Sequence, residues 1–388
     1  MRYALLDPLR GLAALWVFLY HYEFSTPFRA HAPFLHSVFK QGYLGVPMFF
    51  VISGFCLTAS ARSSIARSES ATSFLRRRFR RIYPPFWCSL LVVVAIPFLI
   101  EGISSLKSGV YLPPTSAGNP SLGYLDFSAF EWIRVATLTK VFDPPGAEFG
   151  LQGKFNKLNA VFWTLAVEVQ FYAVVAVALA YRRRFYGTLA AATLVSIPFF
   201  FLPATYGNGI FLPYWPMFAV GVGIYAGFEN GWSPTRRFGR FQVPICSLVV
   251  IGTVVAYLGM VRAGIGMTPF RMASLFGLAV WFGQGLDDRF VALATGARAI
   301  LRWPIALWNV VGAMSYSIYL LHAKLHYLVA QLARQILATD TIVFDLVVLT
   351  TTVALCYPFY LCCEVPFFKP TAKKREIPTE VREPAAVA

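Results

Sequence analysis

Apolar runs long enough to cross a bilayer recur along almost the whole chain, each interrupted by a short polar segment. A helix needs ~20 apolar residues to span a ~30 Å hydrocarbon core, where only helices and closed barrels satisfy the backbone. The pattern predicts ten transmembrane helices, over 8–26, 42–60, 84–102, 158–180, 186–204, 209–227, 243–261, 270–286, 304–323 and 341–363. The expected fold is therefore an all-α polytopic membrane protein, with one embedded domain over 1–368. Two stretches break the pattern, 61–83, expected as a cytoplasmic Arg-rich loop, and 103–157, expected as an outer loop. Pro113-Pro114, Gly118-Asn119-Pro120 and Pro144-Pro145-Gly146 in the outer loop do not continue helices. A connection of that length is a candidate lid over an acceptor. The last stretch, 369–388, reads as a disordered cytoplasmic tail.

Composition agrees, because 57% of the residues are hydrophobic and only 13% charged, against about 25% charged in soluble proteins. The net charge of +16 suggests nucleic acid until its location is considered. About two thirds of the Lys and Arg fall in alternate connecting segments, such as 61–83, 181–185 and 228–242, and this bias orients both termini to the cytoplasm. The lipid bilayer, not nucleic acid, is the implied partner. Arg2 before an apolar run and Ala30-His31-Ala32 imitate an export signal, yet such a signal has no use for Arg10 and His21. The six cysteines lie in or beside predicted spans without metal-ligand spacing and read as apolar filler.

Polar residues inside spans are costly and are functional candidates. Arg10 and His21 are eleven positions apart, ~20° beyond three helical turns, so both project from one face, ~16–17 Å apart. Arg10 near the boundary also fits a snorkelling side chain. His21 has the residue type suited to take a proton from an alcohol near neutral pH, and an acyl-histidine intermediate is equally permitted. In the fourth span Glu168 requires a partner, His21 or Arg10, and a carboxylate behind an imidazole is a common arrangement for a basic histidine; a protonated interhelical Glu is the plain alternative.

Arg76, Arg77, Arg78, Arg80 and Arg81 precede Tyr83 and Pro84 at the mouth of the third span. Five arginines in six positions exceed what orientation needs, and guanidinium forks match phosphates, of a nucleotide or of anionic lipid. The second span, Gly42 to Phe55, has small residues that let helices approach, while its Ser53 is placed to line a cavity. The ninth carries Ser315-Tyr316-Ser317-Ile318-Tyr319-Leu320-Leu321-His322, where Tyr319 and His322 are candidates for the acceptor cavity, as is Asp7 at the start of the first span. His322 and His326 have the spacing of a metal pair but lack a third ligand, so no metal is expected. Gly221, Gly223 and Gly227 lie inside an apolar span and read as packing glycines.

Asp7 to Arg10 followed by His21, Gly42 to Phe55, Arg77 to Pro84, Phe162 to Tyr172, Ser315 to His322 and the closing Glu364-Val365-Pro366-Phe367 resemble, in this order, the motifs of the acyltransferase-three family. Its members O-acylate bacterial surface polysaccharides, lipopolysaccharides, Nod factors and some antibiotics. The resemblance implies ten core helices in the bacterial inner membrane, a catalytic His21, an essential Arg10 and a cytoplasmic acyl-CoA donor, acetyl-CoA, whose phosphates meet the Arg-rich segment. The implied acceptor is a hydroxyl on an extracytoplasmic glycan. Many relatives add an eleventh span and an extracytoplasmic esterase-like domain; this chain is expected to act alone or with a separate periplasmic partner. A transporter or flippase using His, Arg and Glu as a path is the competing expectation, and a non-catalytic scaffold the next.

Overall fold

The structure, a computed structural model, describes residues 3–117, 120–143, 155, 157–201, 209–232, 241–264, 268–295 and 299–368. The expected tail at 369–388 and the turns at 118–119 and 144–146 lie outside the described residues. Among the described residues the secondary structure is entirely helical. The principal helices are α1 (Leu6–His21), α2 (Thr26–His31), α3 (Pro33–Phe39), α4 (Gly45–Ala66), α5 (Ala71–Ser108), α6 (Ala129–Ala136), α7 (Trp163–Ala180) and α8 (Phe185–Phe201). They continue as α9 (Trp215–Glu229), α10 (Gln242–Arg262), α11 (Pro269–Thr295), α12 (Ala299–Ala313), α13 (Ser315–Ala333) and α14 (Ile342–Phe359).

Among the described residues, five stretches are long and apolar enough to cross a bilayer on their own: Pro33–Ala66, Ala71–Leu106, Ala160–Ala180, Gln242–Arg262 and Ile342–Phe368. The α10 helix shows why the solvent must be lipid. It buries only Cys246 and Tyr257 and exposes Leu248, Ile251, Val254 and Val255. A helix apolar all round yet outside the core is stable in hydrocarbon and a liability in water. The chain is a membrane protein.

Three features depart from expectation. The ninth predicted span is two helices, its α12 part and α13 bent by 73° across Met314. The first helix packs in that elbow: a Cβ on Gly312 would overlap the Asp7 carbonyl, and one on Gly11 would lie 2.9 Å from the Gly312 nitrogen. Glycine at both positions lets the backbones approach.

Second, 61–83 is not a loop. Helix α4 runs to Ala66, a short turn follows with Ser68 at φ 55°, and α5 begins at Ala71, where Ser70 Oγ caps the helix by accepting the Ser73 N–H at 3.1 Å. Arginine is a good helix former, so nothing in 76–81 stops propagation. At 38 residues, α5 is ~57 Å long, well beyond the ~30 Å hydrocarbon core.

Third, the described part of 103–157 does not stay at the Ser108 end of α5. From Tyr124 it descends alongside α5: Tyr124 donates to the Val94 carbonyl (3.3 Å), Trp87 to that of Ala136 (2.9 Å) and Tyr83 to that of Thr137 (3.2 Å). Those α5 partners span eleven residues, ~16 Å of helix. Within this descent α6 opens with a capping box between Ser128 and Glu131.

Helices α4 and α9 form the tightest crossing. A Cβ on Gly54 would overlap the Phe218 carbonyl and one on Gly221 the Val51 carbonyl, whereas Gly223 faces open space. Of the three glycines in that span, Gly221 makes the close backbone contact, Gly227 lies against the Trp281 ring, and Gly223 packs on nothing.

Candidate active site

Helix α1 carries its polar stripe between two cavities. The cavity beside the N-terminal half of α1, inner in the expected orientation, is lined by Arg10, Arg78, Arg81, Glu168, Tyr172 and Tyr316, together with Ser53, Cys56 and Thr164. The cavity beside the C-terminal end of α1, outer in the expected orientation, is lined by His21, Tyr20, Tyr43, Trp163, Tyr214 and Pro269. Val46, Phe50 and Tyr319 line both, so the two share a wall three side chains wide. Tyr319 is pinned there, its hydroxyl 2.8 Å from Thr164 Oγ1 and 3.3 Å from the Val161 carbonyl.

The five arginines do not converge. Residues two apart on a helix point about 200° away from each other, and α5 divides its arginines accordingly. Arg78 and Arg81 enter the inner cavity beside Arg10. Arg76 and Arg80 line an opposite groove with Phe79, Tyr83 and Trp87, against Ala136 and Thr137. Tyr83, expected with the phosphate-binding residues, sits in that second groove. Arg77 turns back to Glu69 (2.6 Å) and Ser64 (2.8 Å). Glu69, in the turn before α5, is held by the Arg67 guanidinium, with Ser64 and Arg77 adding to the effect, and its carboxyl is pulled down to about 2.

Glu168 and His21 are not hydrogen-bonded to each other. Glu168 accepts from Tyr172 at 2.9 Å and from Ser53 at 3.3 Å, inside the inner cavity. Arg10 pairs with Asp7 at 3.1 Å, and Asp7 is not among the cavity-lining residues. His21 Nδ1 lies 2.9 Å from the Val17 carbonyl. A carbonyl only accepts, so Nδ1 carries the hydrogen and, in the neutral ring, Nε2 keeps the lone pair. A second imidazole adjoins it, that of His322, whose Nε2 is 3.3 Å from His21 Nδ1. His322, expected in the acceptor cavity, is fully buried and lines neither cavity. The helical bonds of His322 and His326 turn both Nδ1 atoms to backbone carbonyls, Ile318 at 3.0 Å and His322 at 2.7 Å. Among the described residues no three metal-capable side chains converge.

Some site residues escaped the sequence. Tyr172 and Tyr316, quoted in the sequence only as members of motifs, both line the inner cavity; the i, i+4 spacing of Glu168 and Tyr172 was the available signal. Ser317 donates to the buried Glu364, which closes a π-helical turn at Tyr360–Glu364. That bond ties α13 to the end of the last span.

An acyltransferase-domain family model matches residues 3–361. The chain belongs to the acyltransferase-three family. Among curated members, the peptidoglycan O-acetyltransferase OatA of Listeria monocytogenes is 29% identical over 173 residues, 44% of this chain and 23% of the relative. The acyltransferase MdmB of Streptomyces mycarofaciens is 38% identical over 96 residues, 24% of each. The O-acetyl transferase of Shigella phage Sf6 is 26% identical over 181 residues, 46% of each. The chain thus spans less than half the length of these acyltransferase-three relatives, and no solved structure matches it.

Proposed function

We propose that this chain is an O-acetyltransferase of the bacterial inner membrane that carries acetyl from cytoplasmic acetyl-CoA to a hydroxyl of an extracytoplasmic glycan. Ten spans with both termini cytoplasmic put the basic start of α5 on the donor side. The observation that carries the reading is the shared wall: a cavity with three guanidiniums and a cavity with a bare imidazole nitrogen meet at Val46, Phe50 and Tyr319.

The inner cavity suits a donor bearing phosphates. Arg78 and Arg81 supply planar forks, and Arg10 lies at the start of the path toward His21. Arg76 and Arg80, on the opposite face, are left to lipid phosphates at the membrane surface. In the outer cavity, Tyr20, Tyr43, Trp163 and Tyr214 provide the rings on which a sugar packs. His21 Nε2 takes the proton as the acceptor oxygen attacks the thioester carbonyl; the C–O bond forms, the C–S bond breaks, and the proton passes to the leaving CoA thiolate. Relatives named for O-acetyl transfer, one of them to peptidoglycan, support a glycan acceptor.

The test is mass spectrometry of surface glycans from a deletion strain carrying either the wild-type or the His21→Ala chain. Acetyl groups should return only with the wild type, and their return with the variant defeats the proposal.

A further inference from the structure

His322 is fully buried on α13 with its ring against Phe18, Tyr319 and His21. Its Nδ1 faces the Ile318 carbonyl at 3.0 Å and must carry a hydrogen, so the neutral ring has a lone pair on Nε2. That lone pair is 3.3 Å from His21 Nδ1, which also lies 2.9 Å from the Val17 carbonyl. A hydrogen on His21 Nδ1 satisfies both acceptors. The other His21 tautomer brings three acceptors together with no hydrogen among them, and a second proton on His322 would set two N–H groups head to head. One arrangement is self-consistent.

We infer that His322 is the positioning residue of the site, its bare Nε2 accepting the His21 Nδ1–H and so fixing the tautomer whose Nε2 faces the reaction. This rests on the proposed role of His21. It assigns to a neutral imidazole the task often given to a carboxylate, and it accounts for Glu168 being engaged elsewhere by Tyr172 and Ser53. A second histidine also differs from a carboxylate in consequence: it orients the ring without adding a negative charge to an apolar span, where such a charge is costly.

The experiment compares His322→Gln with His322→Leu. Glutamine places an amide oxygen near the position of the lost Nε2 and can still accept, whereas leucine fills similar space and cannot. Transfer from labelled acetyl-CoA to the host's purified surface glycan is measured with the full chain in proteoliposomes. Leucine should lower kcat by ~10–100-fold with KM for acetyl-CoA unchanged, and glutamine should stay within ~5-fold of wild type. Equal kcat in the two variants, or wild-type kcat with leucine, overturns the inference. Nitrogen NMR of the wild type labelled at its five histidines gives a second reading, with the His21 signals assigned by their loss in His21→Ala. An Nδ1–H, Nε2-bare ring is expected, and the reverse tautomer overturns the inference even if the leucine variant does not fold. Transfer that survives His21→Ala defeats the proposed function instead, while the spectrum still decides the tautomer.

Discussion

The two cavities that flank α1 share a wall but little chemistry. The inner one gathers three guanidiniums, a carboxylate and three tyrosines, and the outer one presents one imidazole among aromatic and apolar side chains. A charged ligand is recognised by placed charge, whereas a neutral sugar needs rings and one group to take its proton. Under the proposed function, the contrast divides binding and chemistry along a single helix, with Arg10 at one end and His21 at the other.

The division is broken most sharply at His21. His21→Ala should reduce transfer by at least ~100-fold yet leave acetyl-CoA affinity near wild type, as read by calorimetry on detergent-purified protein. Loss of both together would mean that the cavities are one site.

Next come the arginines. Arg78→Gln and Arg81→Gln should each raise KM for acetyl-CoA by ~10-fold or more, the loss of a charge-assisted hydrogen bond of about 1.5–3 kcal/mol. Arg76→Gln and Arg80→Gln should change it less than ~2-fold, since they face the opposite groove. Equal effects from the two pairs would erase the distinction between the faces of α5.

A smaller effect is expected at the wall itself. Tyr319→Phe removes the bond to Thr164, worth about 0.5–1.5 kcal/mol, and should lower kcat by several-fold while KM for acetyl-CoA holds. An unchanged kcat would show that the wall needs only the ring.

The smallest prediction concerns the turn that sets α5 in place. Glu69 has its folded carboxyl lowered to about 2 from an ordinary 4.5, so its stabilising contribution is present above pH ~4.5 and lost as pH falls toward 2. Melting temperatures of wild type and Glu69→Gln should differ modestly at neutral pH and converge across that window. A gap that persists at low pH assigns the effect to something other than the carboxylate.

Much of the fold was legible because hydropathy and helix geometry are local. Each predicted span has a helical counterpart, and the same-face relation of Arg10 and His21 needed only eleven residues of α1. The site was legible in part, since His21, Arg10, Glu168, Ser53, Tyr319 and two arginines line a cavity. The partner of His21 was not: Glu168 was expected there but accepts from Tyr172 and Ser53 instead, and the partner depends on which helices adjoin α1 at the depth of residue 21. There α13 arrives through the elbow at Met314, and it brings His322. Likewise the motif of five arginines carries no sign of which face of α5 is enclosed.

By itself, then, the amino-acid order determined a helical membrane protein with its basic start of α5 and its stripe on α1, since lipid permits few backbone states and periodicity fixes direction within one helix. Only the tertiary structure decided which arginines share a cavity, that Glu168 binds Ser53 and Tyr172, and that a second histidine backs the first. Those are relations between helices, and they follow from close glycine contacts such as Gly312 on Asp7 and Gly221 on Val51, whose partners are far apart in the chain.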